Sequence, residues 1–318
     1  MPRIASLSTR FFAHPKETIP IFLFMKKTKK KFIVIRSQFG HEIMALNFSK
    51  ALNMPVAIIP NKETAEEFEA ESEKILANLS FFSNDIITVP FADRAKYEAL
   101  SWDIIADLKA GKLADEMWER FVTARLVPTQ NTNPLPQFRN MRANRRNLLL
   151  IPQKLISDNA CGVTAQQQSL SPEVFNFLKE QTTYQLVLGQ HFHKVNDLPA
   201  VEALAKEFGM YVPGMSEDTE VFGIRGIAHK EYYNMYSKLG MSIGIAGTHT
   251  WILLTMFPWV PQVILYNKKG VEHWDVIGKA FQAAGWPIRT IGFDEDSDME
   301  QLSEKIKSYY KLFAVMAM

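Results

Sequence analysis

The segment Gly40-His41-Glu42 follows the apolar run 32–36 and carries side chains suited to proton transfer. Histidine has a pKa near neutrality, so His41 could take a proton from a hydroxyl group. Glu42 could orient the imidazole or serve as the base itself, and Gly40 allows a close approach of the backbone. An ordinary helix start on the surface explains the same spacing. We treat His41 and Glu42 as candidate catalytic residues.

A second candidate lies in the run Gly244-Ile-Ala-Gly-Thr-His-Thr-Trp, where an apolar strand ends in small residues and a helix is predicted to follow. Backbone N–H groups and the partial positive charge of a helix start favour a phosphate group. Gly244 and Gly247 allow the chain to approach a ligand. Thr248 and Thr250 can add hydroxyl donors, and His249 can add a donor or a cation. The alternative is that Thr248 only caps the helix.

The basic residues of the chain are unevenly distributed. From Arg120 to Ser157 there are seven Lys and Arg residues and no acid, a local charge of +7. Arginine pairs bidentately with phosphate, so this stretch favours an anionic ligand at a junction between two domains. A solvated linker or a surface facing lipid headgroups explains it equally well. The arginines that we assign to ligand phosphates are Arg139, Arg142, Arg145 and Arg146.

Other polar residues give weaker signals. Arg225 and His229 precede a predicted helix and are candidates for holding a base or ribose. His191 and His193 alternate along one strand without a third ligand, so we expect core or loop histidines there. The acidic run 294–298 has the charge for Mg²⁺, yet it precedes a helix, whose dipole favours acids at that place. We therefore predict no metal site.

The elements that position these residues alternate along the chain. Apolar runs separated by amphipathic segments predict an α/β fold with mainly parallel sheets, and ligands of such sheets bind beyond the carboxyl ends of the strands. The predicted strands cover residues 32–36, 55–59, 86–89, 148–152, 184–188, 242–245, 262–266 and 288–293. The predicted helices cover 43–52, 64–79, 95–126 with a break near 111, a segment from 172, 198–208, 231–239, 250–256, 271–284 and 299–312.

The length of 318 residues and the apolar content of 47% suit about two domains. A turn-rich, arginine-rich segment marks the boundary between them. We predict an extension at 1–24 before a start at Met25, an N-terminal Rossmann-like domain at 25–128, a basic linker at 129–147 and a C-terminal Rossmann-like domain at 148–318. The last helix is a candidate to pack back on the first domain.

Composition excludes several classes of protein. The 36 basic and 34 acidic residues nearly cancel, which argues against a nucleic-acid partner. No apolar run reaches the roughly 18 residues of a spanning helix, and a single cysteine suits a reducing compartment. We expect a cytoplasmic protein. The five lysines between positions 26 and 31 are a candidate contact with the inner face of the cytoplasmic membrane.

These motifs together resemble the GT-B glycosyltransferases, including those that build bacterial surface polysaccharides and lipopolysaccharide. The resemblance spans residues 31–318 and rests on the first strand with its Gly40-His41 turn, the basic linker, and the late Gly247-Thr248-His249 turn before the strand at 261–265. It implies two Rossmann-like domains facing a central cleft. In the Gly-His branch of that fold the histidine is the catalytic base, which corresponds to His41. The late turn of that fold binds the donor diphosphate, which corresponds here to Gly247, Thr248 and His249.

The implied activity is metal-independent transfer of a sugar from a nucleotide-sugar donor to a hydroxyl of a glycan or lipid-linked acceptor, with inversion at the anomeric carbon. The nucleotide sugar is a co-substrate, and no further cofactor is implied. Amides of the late helix, Thr248, His249 and arginines would stabilise the departing diphosphate, and domain closure would exclude water. Two alternatives stay open: a non-hydrolysing sugar-nucleotide epimerase, which needs carboxylates in the cleft, and a two-lobed binding protein without catalysis.

Overall fold

The computed structural model describes residues 32–36, 39–60, 65–80, 82, 85–99, 101–102, 115–125, 148–153, 170–181, 184–190, 198–211, 233, 235–268, 273–294 and 296–317. The strands of its first half are β1 (Phe32–Arg36), β2 (Val56–Ile59), β3 (Ile86–Thr88) and β4 (Ser101–Trp102). They form a parallel sheet in the order β3-β2-β1-β4. The α-helices described in this half are α1 (Phe39–Leu52), α2 (Ala65–Leu79), α3 (Arg94–Ala99) and α4 (Asp115–Thr123).

A second sheet begins at residue 148. Its strands are β5 (Leu148–Gln153), β6 (Gln185–Gln190), β7 (Leu239–Ile245), β8 (Gln262–Asn267) and β9 (Ile288–Phe293). All are parallel, in the order β6-β5-β7-β8-β9. The helices described here are α5 (Pro172–Gln181), α6 (Leu198–Phe208), α7 (Thr248–Met256), α8 (His273–Ala283) and α9 (Met299–Ala317).

Both faces of the second sheet are covered. On the outer face, Leu149 and Ile151 of β5 share a core with α5, α6 and α9. On the inner face, Leu148 and Leu150 of the same strand pack with α7 and α8. A strand buried on both sides is apolar at every position, which is why 148–151 is a continuous run of leucine and isoleucine.

Helices α1 and α7 pack against each other and join the two sheets. Every residue of α1 from 42 to 49 is buried, and so is every residue of α7 from 249 to 256. A helix that is buried around its whole circumference belongs to the interior of a protein. One hydrophobic cluster includes Ile33 and Ile58 of the first sheet together with Leu150 and Ile264 of the second. The two sheets therefore share a core.

Helix α4 reinforces this junction through aromatic packing. The fully buried ring of Phe121 stacks on Phe48 of α1, with ring centroids 4.2 Å apart, and meets Phe281 of α8 edge to face at 5.7 Å. The indole Nε1 of Trp286 donates a hydrogen bond to the Val122 carbonyl at 3.3 Å. A single helix thus contacts elements of both halves.

The predicted α/β fold with parallel sheets is confirmed. The strands predicted at 32–36 and 288–293 and the helix at 198–208 have the observed bounds. The prediction of one broken helix over 95–126 is wrong, because the short strand β4 follows α3 and pairs with β1. The helix predicted over 231–239 also runs too far, since Leu239 is the first residue of β7.

The ends of the chain bear on two further expectations. Leu302, Ile306 and Phe313 of α9 lie in the core of the second sheet, so this helix packs on its own half. The predicted extension at 1–24, the lysines at 26–31 and the linker at 129–147 fall outside the described residues. In the part of the chain that the structure describes, no helix has the length and apolar character needed to cross a membrane.

Candidate functional site

The second sheet places the start of α7 at a change in strand order. The chain runs from β5 outward to β6 and then returns to place β7 on the other side of β5. Such a switch point opens a crevice at the carboxyl ends of the strands, where parallel α/β proteins bind ligands. Strand β7 ends at Ile245, and α7 begins three residues later at Thr248. The predicted phosphate-binding turn is therefore at the expected place.

Gly247 is the N-cap of α7, and as a glycine it has no side chain to accept hydrogen bonds from the first turn. The first helical bond runs from the Trp251 N–H to the Gly247 carbonyl at 3.1 Å. Thr250 turns its Oγ1 back to accept from the Gly247 N–H at 3.2 Å, and its side chain is buried. Thr248 is the first helical residue and not the N-cap; its side chain is outside the described set.

The side chain of His249 points into the protein. It is 2% exposed, and its Nδ1 shares a hydrogen bond with the hydroxyl of Tyr236. Its imidazole also lies against the backbone of β6, because a Cβ added at Gly189 would sit 3.1 Å from two ring atoms. Burial lowers the pKa of His249 to about 3, so the ring is neutral at pH 7. A neutral, inward-pointing ring argues against the cationic role considered for His249.

Gly244 allows close packing between two strands of the second sheet. A Cβ at this position would lie 2.2 Å from the carbonyl oxygen of Pro152 on the neighbouring strand β5. Pro152 in turn pairs in register with Gly189 of β6. Two glycines thus make room for a proline and an imidazole at the carboxyl ends of three adjacent strands. We interpreted Gly244 as an approach point for a ligand, and the structure explains it by packing between strands.

The candidate residues of the first sheet lie at the start of α1, the helix that follows β1. Helix α1 begins at Phe39, three residues after β1, so Gly40 and His41 lie in its first turn and not in a turn before it. The side chain of His41 is outside the described set. Glu42 is 6% exposed. A substrate therefore has poorer access to Glu42 than a surface helix start would offer.

Arg125 is one of two arginines of the acid-free stretch that the structure describes. Its guanidinium lies over the ring of Trp286, 4.4 Å from the centroid, and donates to the Val122 carbonyl at 2.7 Å. Burial lowers its pKa to about 10, which leaves it charged at pH 7. Arg125 thus links the end of α4 to Trp286 in the second half of the chain. The candidate residues Arg139, Arg142, Arg145, Arg146, Arg225 and His229, with His191 and His193, lie outside the described residues.

Asp294 and Asp298, in the acidic run before α9, accept hydrogen bonds from neighbouring residues. Asp298 accepts hydrogen bonds from the N–H groups of Glu300 and Gln301 and so caps the helix. Asp294 accepts from the Ser297 hydroxyl at 2.7 Å and pairs with Lys268 at 3.0 Å, and these contacts lower the pKa of its carboxyl group. Within the described ranges, no three His, Cys, Asp or Glu side chains are grouped so as to hold a metal ion.

Sequence reasoning missed Tyr236, Gly189 and Pro152. A glycine and a proline inside apolar strand runs are signals of close backbone contact, so two of the three could have been found. Nothing in the spacing connects Tyr236 with His249.

Comparisons with protein-family models, with curated proteins and with solved structures found no match to this chain. The fold and the site define a parallel α/β protein with a helix start at the switch point of its second sheet.

Proposed function

We propose that this protein is a glycosyltransferase that moves a sugar from a nucleotide-sugar donor to a hydroxyl of a glycan or lipid-linked acceptor. The two sheets would act as two Rossmann-like units, the second holding the donor and the first the acceptor. One observation carries the proposal: α1 and α7, the helices that follow β1 and β7, pack directly against each other. The candidate base and the candidate phosphate site thus belong to neighbouring helices.

The donor diphosphate binds at the start of α7. Three features support this assignment: the position beyond a buried strand, the switch in strand order beside β5, and an N-cap glycine that has no side chain to accept from the first turn. Amides aimed along the helix axis stabilise negative charge as it grows on the departing diphosphate. The predicted arginines, with Arg225 and His229, are assigned to the same donor.

The acceptor hydroxyl is activated at the start of α1. We assign the general base to His41, because Glu42 is buried and so less accessible to an acceptor. His41 would take the proton of the attacking hydroxyl, the oxygen would bond to the anomeric carbon, and the bond to the diphosphate would break with inversion. The nucleotide diphosphate would leave with its charge balanced by amides and arginines, so the mechanism proposed is metal-independent.

A donor screen tests the proposal. We expect one of the uridine, guanosine, thymidine or adenosine diphosphate sugars to raise the melting temperature of the full chain and to undergo slow hydrolysis without an acceptor. His41→Ala should abolish hydrolysis and transfer while the affinity for the nucleotide changes by no more than a few-fold. His273→Ala, which removes a histidine from the start of α8, is the matched control and should keep activity.

The outcomes separate the alternatives. Absence of stabilisation by every nucleotide sugar would refute the proposal and the epimerase together. Binding without turnover would indicate the two-lobed binding protein, and epimerised donor would indicate the epimerase. Equal loss of binding and activity in His41→Ala would make His41 a ligand contact instead of a base.

A further inference from the structure

Three residues from three different elements meet beside the start of α7. Tyr236 precedes β7, His249 is the second residue of α7, and Gly189 lies in β6. We propose that Tyr236 and Gly189 are positioning residues, which hold His249 and thereby set the place of the α7 start relative to the donor diphosphate. This inference rests on the proposed function and deepens it, because it concerns the precision of the phosphate site.

The imidazole of His249 is held on two sides. The hydroxyl of Tyr236 shares a hydrogen bond with Nδ1, which fixes the rotation of the ring. The backbone of Gly189 supports the ring from the sheet, with no side chain between them. Because His249 belongs to the first turn of α7, we expect a displacement of its ring to shift the backbone amides of that turn.

Tyr236 also contacts the opposite end of the same helix. It is fully buried, and its ring lies against Phe257, the C-cap of α7, with centroids 6.3 Å apart. One tyrosine thus touches the N-terminal turn through its hydroxyl and the C-terminal end through its ring. That pair of contacts fixes the helix along its own axis. Hydrogen bonds from first-turn amides to a phosphate lie roughly along this axis and are sensitive to such a shift.

Two substitutions perturb the arrangement without removing a group that touches the ligand. Tyr236→Phe deletes the hydroxyl bonded to His249 and keeps the ring against Phe257. Gly189→Ala adds a methyl group 3.1 Å from the imidazole and 3.2 Å from Leu150, so the ring has to move by a few tenths of an ångström. Tyr310→Phe is the matched control: it removes a buried tyrosine hydroxyl that donates to the Gln181 carbonyl at 3.2 Å, far along the chain in α9.

The experiment measures the affinity of each variant for inorganic pyrophosphate and for uridine, guanosine and adenosine diphosphates by calorimetry, together with steady-state constants for the donor found in the screen. We expect Tyr236→Phe and Gly189→Ala to bind the diphosphate about tenfold more weakly, as weakening of charge-assisted hydrogen bonds implies. The donor KM should rise and the acceptor KM should stay unchanged. Circular dichroism and melting temperature verify that each variant is folded.

The results distinguish this inference from the proposed function. If Tyr236→Phe and Gly189→Ala both bind the diphosphate as tightly as the control Tyr310→Phe does, the inference is overturned. The transferase proposal would be unaffected by that result. An equal rise in donor and acceptor KM would also overturn it, since that pattern indicates general loosening. Failure of the unaltered protein to bind any of the four probes would refute the proposed function, and the positioning role would fall with it.

Discussion

Replacement of Phe121 by alanine tests whether the two sheets behave as one structural body. Phe121 of α4 is fully buried between Phe48 of α1 and Phe281 of α8, so its ring contacts helices of both halves. If the shared core is the main link between the sheets, we expect the loss of this ring to destabilise both sheets by the same amount.

The magnitude follows from the packing. Truncation of a buried phenylalanine to alanine costs about 3–5 kcal/mol through lost burial and the cavity left behind. The stacked contact with Phe48 at 4.2 Å adds about 0.5–1.5 kcal/mol beyond the area term. We therefore expect the free energy of unfolding to fall by roughly 3.5–6.5 kcal/mol, which is a large part of the stability of a typical domain.

Hydrogen exchange under native conditions is the decisive assay, because it reports on each sheet separately. Amides of β2 and amides of β7 should both exchange faster in Phe121→Ala, with the same decrease in opening free energy. Val276→Ala, at an exposed position of α8, is the control and should change neither. Faster exchange confined to one sheet, or two separate unfolding transitions, would refute the shared core.

Three further predictions concern the second sheet. Thr248→Ala should weaken diphosphate binding by about 1.5–3 kcal/mol, the loss of one hydrogen bond to a charged group, and unchanged affinity by calorimetry would reject that contact. Gly244→Ala forces a methyl group against the Pro152 carbonyl and should lower the melting temperature strongly, whereas an unaltered value would contradict the close strand packing. Because burial lowers the pKa of His249 from its ordinary value to about 3, unfolding takes up a proton below about pH 6.5. Urea titrations should show stability falling by up to about 1.4 kcal/mol per pH unit from there toward pH 3, and His249→Gln should lack that slope.

The strands were predictable because their signal is local. Continuous apolar runs such as 148–151 and 263–266 describe strands covered on both faces. The candidate sites are predicted after two other strands, β1 and β7, from the rule that ligands bind beyond the carboxyl ends of strands. The start of α1 was placed four residues late, since Gly40 was interpreted as a turn although it lies inside the helix. The strand β4 has only two residues, too few for any periodicity to detect.

What the sequence could not supply is the direction of side chains and the contacts between distant elements. His249 and Thr248 are adjacent, and spacing alone does not tell that the imidazole of His249 points inward to Tyr236. Spacing also does not tell that Arg125, within the acid-free stretch, donates to a backbone carbonyl and lies over the face of Trp286. Such assignments depend on which helix packs on which sheet.

The packing of α1 against α7 also limits how water could be excluded from the site during the proposed sugar transfer. We expected closure of two domains, which requires that they separate between reactions. Separation at this junction would expose the side chains of α1 and α7 that face each other, and every residue from 42 to 49 and from 249 to 256 is now buried. Exposing four such side chains costs about 6–12 kcal/mol, comparable with the whole stability of a domain. Opening at α1 and α7 would therefore be too costly in each cycle of the proposed transfer, and the exclusion of water would have to come from movement elsewhere in the chain.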